Sequence, residues 1–479
     1  MDNTEEVVEQ YVLDTTNHPL TLEKFIKDNR EFIASKMNPS EDFQTIWNGH
    51  FTKAKSTNVD WDILKVAYFE YISNHPPVQQ LSSHPTPIGA TSIEPVTTST
   101  PTPTPTNNTT PTLKDDDYQK FNAMFETLDH TKFWPLSTGT VVEQKIKELA
   151  MKLKNEHPCH SMILDTSDPV WLDYFTKEEL HEIEDEKKVP ISKLPDNMTN
   201  YLDNYKNLKS LRSLWDEYKK HNIDPIDDSE LYWVHSSVRN VLEILTYNLH
   251  KTYKTEADLM KRVWSIIDCC FDYGDLDVIS GEYVSKASSN RINIDRSLAA
   301  MSRRKIGTKI DLLFTTEDLE FGTVEAGKMS DVNNTKTIFE AGIKLPKNLK
   351  DMQYEIVQEY PSQLRMIKTC GIVISGLNML PIVMDCPRGY VSRVNRPPRY
   401  YHYPSTATDF LLKMKTIIRA IYYTKKTMTD VFELLSNTDD ISENGSQRSI
   451  KLLPTFITTT TKSGKKRKTS STTSEPTPT

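Results

Sequence analysis

Apolar and polar residues alternate along the chain in the region of residues 305–328, and this pattern predicts a β-hairpin. On the first strand the residues on one face are apolar, namely Ile310, Leu312 and Phe314. Asp311 and Leu313 fall on the opposite face, because successive side chains of a strand point to opposite sides. The pattern therefore predicts a single acid, Asp311, held at the rim of a sheet.

A second extended stretch follows a polar turn at residues 315–318. It runs from Phe321 to Gly327 and contains small residues that allow close approach of neighbouring strands. Glu325 lies near its end. In an antiparallel hairpin this second strand brings Glu325 back beside Asp311, so we expect two carboxylates on adjacent strands.

Apolar residues at helical spacing surround the hairpin. They predict a small helical domain over residues 1–74 and a helical region over 114–260 that packs on the core. After the hairpin we expect a helix from Gln358 to Ile367, a buried hairpin between Gly371 and Met384, and a closing helix from Asp409 to about Leu435. The core itself is expected to span residues 261–436.

Two segments have a composition that cannot support a packed core. Residues 75–113 are rich in Pro, Thr and Ser and predict a disordered linker, and residues 437–479 predict a disordered tail. The tail carries a basic cluster, Lys465, Lys466, Arg467 and Lys468. Such a cluster is typical of a nuclear-localisation signal read by an import receptor. We therefore expect a nuclear protein, or one found in both cytoplasm and nucleus.

Overall charge and cysteine content limit the classes of partner. The net charge is −8, with 66 acidic and 58 basic residues, so any contact with nucleic acid needs a local basic patch. Five scattered cysteines indicate a reducing compartment, without a disulfide framework or a zinc module. The longest apolar stretch, from Cys370 to Met384, is too short to span a bilayer. These features predict an intracellular protein outside the membrane.

Two carboxylates on adjacent strands, followed by a lysine, are the groups that Mg²⁺-dependent phosphodiester cleavage uses. Oxygen ligands from Asp311 and Glu325 suit Mg²⁺, and the ammonium of Lys328 offsets charge that develops on the phosphate. The alternative is an ordinary hairpin whose two acids pair with Lys309 and Lys328.

The order of these motifs resembles the αβββαβ core of the PD-(D/E)XK nucleases. The motifs are Gly307-x-x-x-Asp311-Leu-Leu, Val324-Glu325-Ala-Gly-Lys328 and a later helix with Gln363-Leu364. The fold class expected from this resemblance is α+β or α/β, with a helical N-terminal part followed by a restriction-endonuclease-like core. The resemblance implies that Glu282 is the acid of the first helix, that Asp311 and Glu325 hold the metal, that Lys328 is catalytic and that Gln363 contacts nucleic acid.

Longer stretches of the chain are similar to a large family of uncharacterised proteins from mucoralean fungi. They include SGEYVSKASSNR, IGTKIDLLF, VEAGK, IKLPKNLKDM and DCPRGYVSRV, and the likeness covers about Phe133 to Leu435. This second resemblance implies no particular activity.

A row of lysines after the hairpin is the candidate for the basic patch. Lys336 and Lys344 lie two helical turns apart and are followed by Lys347 and Lys350. With Arg291 they are our candidate nucleic-acid-binding residues, although most such rows are solvated faces.

The spacing of the lysine departs from the nuclease pattern. Lys328 follows Glu325 by three residues, which places the two side chains on opposite faces of a regular strand. A bulge at Gly327 would bring Lys328 to the same face as Glu325. Without the bulge, Lys336 or Lys344 would have to supply the ammonium group of the site. Two hypotheses follow: a Mg²⁺-dependent DNA nuclease, and a catalytically inactive form of the same fold that serves as a nucleic-acid or protein interaction module.

Overall fold

The computed structural model describes residues 111–188, 193–294, 296, 304–329, 331–438 and 450–459. The chain divides into two units, Met1–Thr102 and Pro103–Thr479, and the described residues belong to the second. The predicted helical domain, nearly all of the predicted linker and the basic cluster at residues 465–468 lie outside them.

The described part of the chain is a mixed α+β fold built on one open sheet with parallel and antiparallel strands. The order of strands across the sheet is β1-β7-β6-β5-β4-β3-β2, with β8 beside β6. The strands are β1 (Ile163–Asp165), β2 (Asp277–Val284), β3 (Lys309–Thr315), β4 (Glu320–Gly327), β5 (Thr369–Ser375), β6 (Asn378–Asp385), β7 (Ser392–Asn395) and β8 (Tyr401–His402).

Both predicted hairpins are confirmed, since β3 pairs antiparallel with β4, and β5 with β6. Strands β4 and β5 are parallel, and a long helix connects them. Strand β1 comes from the region predicted to be helical and pairs in parallel with β7. The helical region therefore contributes one strand to the same sheet.

Twelve helices in the described residues surround the sheet. They are α1 (Asp115–Glu126), α2 (Val142–Lys152), α3 (Lys177–Asp185), α4 (Asp196–Asp203), α5 (Leu211–Tyr218), α6 (Ser229–Tyr247), α7 (Glu256–Arg262), α8 (Ser265–Asp268), α9 (Lys286–Ile292), α10 (Thr335–Phe339), α11 (Leu345–Glu359) and α12 (Phe410–Ser436). Helix α12 confirms the predicted closing helix. The helix predicted from Gln358 to Ile367 is wrong: α11 ends at Glu359, and a single 3₁₀ turn follows because proline at position 361 cannot continue an α-helix.

The sheet is buried on both faces, which corrects the prediction that Asp311 lies at the rim. Leu312 and Phe314 pack in the larger core with α6 and α12, whereas Leu313 packs in a smaller core with Leu345 and Leu349 of α11. Strand β3 lies between β2 and β4 and is not an edge strand. Asp311 therefore enters the layer between the sheet and α11.

Residues 450–459 correct the prediction of a wholly disordered tail. Leu452 is fully buried in the larger core, and Phe456 is 2% exposed in a second core formed with α1 and α2. The Thr455 hydroxyl donates a hydrogen bond to Asp351 Oδ1 (2.6 Å), and the Phe456 amide donates one to Ser161 Oγ (2.9 Å). The apolar residues of this short segment add enough buried surface to hold it in place.

Within the described ranges, the helices that are long enough to cross a bilayer lack the sustained apolar character that crossing requires.

Candidate active site

Asp311 and Glu325 meet where β3 and β4 run side by side. The Ala326 amide donates a hydrogen bond to Asp311 Oδ2 (2.7 Å), which places this carboxylate beside the backbone that carries Glu325. Glu325 is fully buried and Asp311 is half-buried. The pattern of the two strands thus predicted their convergence, and the structure brings them together.

Glu325 receives two side chains from the helix that follows β4. The Lys344 ammonium forms an ion pair with Glu325 Oε2, and Asn348 Nδ2 donates a hydrogen bond to Oε1 (3.3 Å). Asn348 is only 2% exposed. Both oxygens of the carboxylate therefore have a partner.

A π-helical turn, Glu340–Lys344, links α10 to α11 and carries this lysine. Pro346 lies at the start of α11, where it has no N–H to donate and its ring would collide with the carbonyl of Gly342 in a regular α-helix. A wider turn accommodates the proline, and π turns inside helices are often found at functional sites. The proline thus accounts for the local departure from α-helical geometry next to Lys344.

A second lysine and two further acids complete the cluster. Lys336 Nζ lies 2.5 Å from Glu256 Oε1, 3.7 Å from Glu340 Oε1 and 3.2 Å from the carbonyl oxygen of Ala326. Glu340 is 5% exposed, and its Oε2 has no hydrogen-bond partner within the described structure. Residues of α7, β3, β4, α10 and the π turn therefore share one site.

Three acids of the site, Asp311, Glu325 and Glu340, have raised pKa values and hold their protons more tightly than usual. Burial raises the pKa of Glu325 to about 8, against the opposing effect of Lys344, and the charge of Asp311 raises it further. Burial likewise raises the pKa of Glu340 to about 7, and the pKa of Asp311 is raised mainly by burial. Four carboxylates face two ammonium groups, so the ionised site has surplus negative charge.

This donor set fits a hard divalent cation, subject to one rearrangement. All the carboxylates offer oxygen ligands, the surplus charge is negative, and Glu340 Oε2 is a buried oxygen without a partner. However, across the described residues no three His, Cys, Asp or Glu side chains are arranged as a ready metal centre. A cation shared by Asp311 and Glu325 would have to displace Lys344 or Asn348 from Glu325.

Two of the predicted catalytic residues lie outside this cluster. Glu282 is not on a helix: it lies at an irregularity of β2 with φ 46°, and it forms an exposed ion pair with Lys309 (2.9 Å). Lys328 is exposed beyond the end of β4. The pairing of β4 with β5 continues without a shift through Gly327, so the bulge considered for that residue is absent.

The predicted nucleic-acid-binding residues divide into two groups. Lys336 and Lys344 reach the carboxylates, whereas Lys347 pairs with Glu156, and the fully buried Lys350 donates a hydrogen bond to the carbonyl of Ser161. Burial lowers the pKa of Lys350 to about 7. Lys350 is buried and Lys347 is held in an internal ion pair, so these two lysines do not form the exposed phosphate-binding row that we predicted.

Two more candidates are also misplaced. Arg291 is 5% exposed, and its Nε lies 4.0 Å from Asp351 Oδ1. Its guanidinium therefore forms a buried ion pair and is not placed to bind nucleic acid at the surface. Gln363 lies on the 3₁₀ turn that follows the C-terminal end of α11, whereas Lys344 precedes the N-terminal end of this helix. Its predicted place on a helix was wrong because α11 ends four residues earlier.

Glu256, Glu340 and Asn348 were not predicted as members of the site. Glu340 had a signal, because it lies four residues from both Lys336 and Lys344 in the sequence. Asn348 follows Lys344 at the same helical spacing. Glu256 had none, since only the packing of α7 against β4 brings it close.

Comparisons of the chain with protein-family models, with curated proteins and with solved structures find no match.

Proposed function

We propose that this protein is a Mg²⁺-dependent nuclease with a PD-(D/E)XK-like core that cleaves DNA. One observation carries the proposal: Asp311 and Glu325 converge from adjacent antiparallel strands, and Lys344 reaches them from the helix that follows. In this arrangement Lys344 takes the role that the sequence assigned to Lys328.

The order of elements around the site supports this assignment. A helix, α7, precedes the three antiparallel strands β2, β3 and β4, and α11 then leads to β5, which is parallel to β4. With the short helices α8 and α9 left out, this order is similar to the αβββαβ order of the resemblance, which supports the proposal. Glu256 of α7 replaces Glu282 as the acid supplied by the first helix.

The side chains would divide the work of phosphodiester hydrolysis. Asp311 and Glu325 would hold Mg²⁺, which when bound polarises the phosphate and lowers the pKa of a water molecule. Lys344 would leave Glu325 and donate hydrogen bonds to a phosphate oxygen as negative charge develops there. Lys336 would keep Glu256 and Glu340 in position through the contacts described above.

Activity should depend on pH through these acids. A protonated Glu325 is a poor metal ligand, and burial raises the pKa of this carboxyl to about 8. Cleavage at a fixed, limiting Mg²⁺ concentration is therefore expected to rise between pH 6 and pH 9.

The test is cleavage of single- and double-stranded DNA by the purified full chain with Mg²⁺ or with EDTA. We expect Asp311→Asn, Glu325→Gln and Lys344→Met each to reduce the rate by about 100-fold or more, because each removes a group that acts on the transition state. The matched controls are Glu282→Gln and Lys328→Met, which should keep wild-type rates. Equal loss in Lys328→Met and Lys344→Met would contradict the assignment of the lysine.

A second function, a catalytically inactive interaction module, is favoured by one observation. Lys344 and Asn348 already satisfy both oxygens of Glu325, so the site is closed by internal contacts. The two functions differ in their response to Mg²⁺. A nuclease should melt at a higher temperature with Mg²⁺, and Asp311→Asn should lose this increment; an inactive module should show neither the increment nor cleavage.

A further inference from the structure

A cavity of about 660 Å³ opens between β6, β7, α12 and the segment that leads into α4. Such a volume is typical of pockets that enclose small molecules. None of the residues of the candidate active site lines it. The cavity is therefore a separate feature of the molecule.

The charged residues around this cavity are mostly basic. Seven basic side chains line it against two acidic ones, Glu184 and Asp385. The basic ones are Lys188, Lys193, Lys368, Arg393, Arg396, Lys415 and Arg419. Basic side chains therefore outnumber acidic ones in the lining, a composition that favours an anionic ligand.

Part of this charge is used to build the walls. Arg393 holds Asp385 through two contacts, Nε to Oδ1 (3.0 Å) and Nη2 to Oδ2 (2.6 Å). Arg396 pairs with Asp165 (2.9 Å), and Lys415 with Asp203 (2.6 Å). These pairs fix the shape of the cavity and neutralise part, but not all, of the positive charge of its lining.

Two lysines supply charge that the described structure does not balance. Among the described residues, no carboxylate lies within ion-pair distance of Lys193 or Lys368, although both line the cavity. Lys193 is exposed and Lys368 is half-buried, so both ammonium groups can reach an anion in the opening. They are the best candidates to contact a phosphate.

The lining of the cavity also includes apolar rings. Two aromatic rings, those of Tyr401 and Tyr423, line it together with the proline rings of Pro397 and Pro398 and the side chain of Val383. Aromatic and proline rings provide surfaces on which a planar base can stack. A polar anion alone would gain nothing from this surface.

We propose that this cavity binds a nucleoside polyphosphate, with its phosphates on Lys193 and Lys368 and its base against the tyrosines and prolines. The volume suits a small molecule, the two lysines suit its phosphates, and the aromatic and proline rings suit its base. We choose a small ligand over a nucleic-acid strand because a volume of about 660 Å³ is typical of small-molecule pockets.

The test is binding of a fluorescent adenosine triphosphate analogue to the full chain, followed by anisotropy. Unlabelled adenosine and guanosine triphosphates should compete with the probe, and adenosine should compete at least 10-fold more weakly because it lacks phosphate. The double variant Lys193→Glu/Lys368→Glu should weaken binding at least 10-fold. The matched control Lys219→Glu/Lys251→Glu changes two exposed lysines that do not line the cavity and should stay within 2-fold of wild type.

Three results would overturn the proposal. The first is a dissociation constant for the probe weaker than roughly 1 mM, which is too weak for a specific small-molecule site. The others are equal weakening of binding by both double variants, and competition by oligonucleotides but not by nucleoside triphosphates. Should the Glu variants fold poorly, judged by their melting temperature, Lys193→Gln/Lys368→Gln removes the charge with less repulsion and must still weaken binding. Glu325→Gln must keep wild-type nucleotide binding, which separates this site from the proposed nuclease site.

Discussion

Two buried groups of charge differ in how fully they are balanced. In the first, Arg393 is 1% exposed, and its guanidinium meets Asp385 through two contacts and the carbonyls of Ile183 and Glu184 through Nη1. In the second, Glu325 and Glu340 share two lysines with two more acids, and one oxygen of Glu340 has no partner. The arginine pair is almost completely removed from water, as are Glu325 and Glu340, whereas the lysines of the second group are partly exposed.

The difference distinguishes a structural role from a functional one. A buried ion pair with all its hydrogen bonds satisfied locks elements together, here β6, β7 and α3. Surplus like charge in a buried site raises pKa values and is unfavourable for the fold, and such sites are frequently functional. The unbalanced carboxylates are therefore where a ligand is expected, and the balanced pair is where a mutation should unfold the protein.

The sharpest test of the comparison is Arg393→Met. It leaves Asp385 buried without its guanidinium, and breaking such a pair costs about 3–5 kcal/mol of unfolding free energy. The control is Arg388→Met, because Arg388 is 48% exposed and lies 4.0 Å from Glu186. Chemical denaturation should show a large loss for the first and almost none for the second; similar losses would remove the distinction between the two arginines.

The next effect concerns Glu325 and pH. Its pKa is about 8 in the folded chain against an ordinary value of 4.5, so between these values the folded state binds a proton that the unfolded state does not. The free energy of unfolding should therefore fall as pH rises through this window, by roughly 1 kcal/mol per pH unit. Glu325→Gln cannot titrate, and its unfolding free energy should be flatter from pH 5 to pH 8. A parallel profile for the two proteins would mean that Glu325 has an ordinary pKa.

A smaller effect is expected at Glu340. Its pKa of about 7 means that it is ionised at pH 8 and protonated at pH 5, and in the ionised form it adds to the surplus charge. Glu340→Gln should thus be more stable than wild type at pH 8, by about 1 kcal/mol, and no more stable at pH 5. Thermal denaturation at the two pH values measures this, and a loss of stability at pH 8 would show that Glu340 is compensated by Lys336.

The smallest effect should come from the exposed pair of Glu282 and Lys309. Both side chains are largely in water, at 73% and 64% exposure, where ion pairs contribute little. Glu282→Gln should leave both the melting temperature and DNA cleavage unchanged. A drop in cleavage would return Glu282 to the active site.

Local patterns were enough to predict the hairpins and the two central carboxylates. The alternation that identified Asp311 and Glu325 is a property of neighbouring residues, and so is the long apolar stripe of α12. The mixed α+β class follows from these elements. The segment at residues 450–459 also had a local signal, in its apolar residues Ile450, Leu452, Leu453, Phe456 and Ile457, but the surrounding polar composition outweighed it.

The remaining site residues depend on packing that sequence spacing does not express. The lysine row divides because β4 lies beside Lys344, whereas the segment around Ser161 lies beside Lys350. Glu256 joins the site from a helix about 60 residues before β4 in the chain. Spacing along one helix therefore identified the cations without telling which of them meet the carboxylates.

The packing of residues 450–459 has a consequence for the order of events during synthesis. These residues cover two cores, and the Thr459 amide donates a hydrogen bond to Asp117 Oδ1 (2.7 Å), near the start of the folded unit. Domains often begin to fold as the chain leaves the ribosome. This one cannot close its interior until residue 459 has emerged, so a nascent chain that ends earlier exposes Phe121 and Ser161 to solvent and to chaperones.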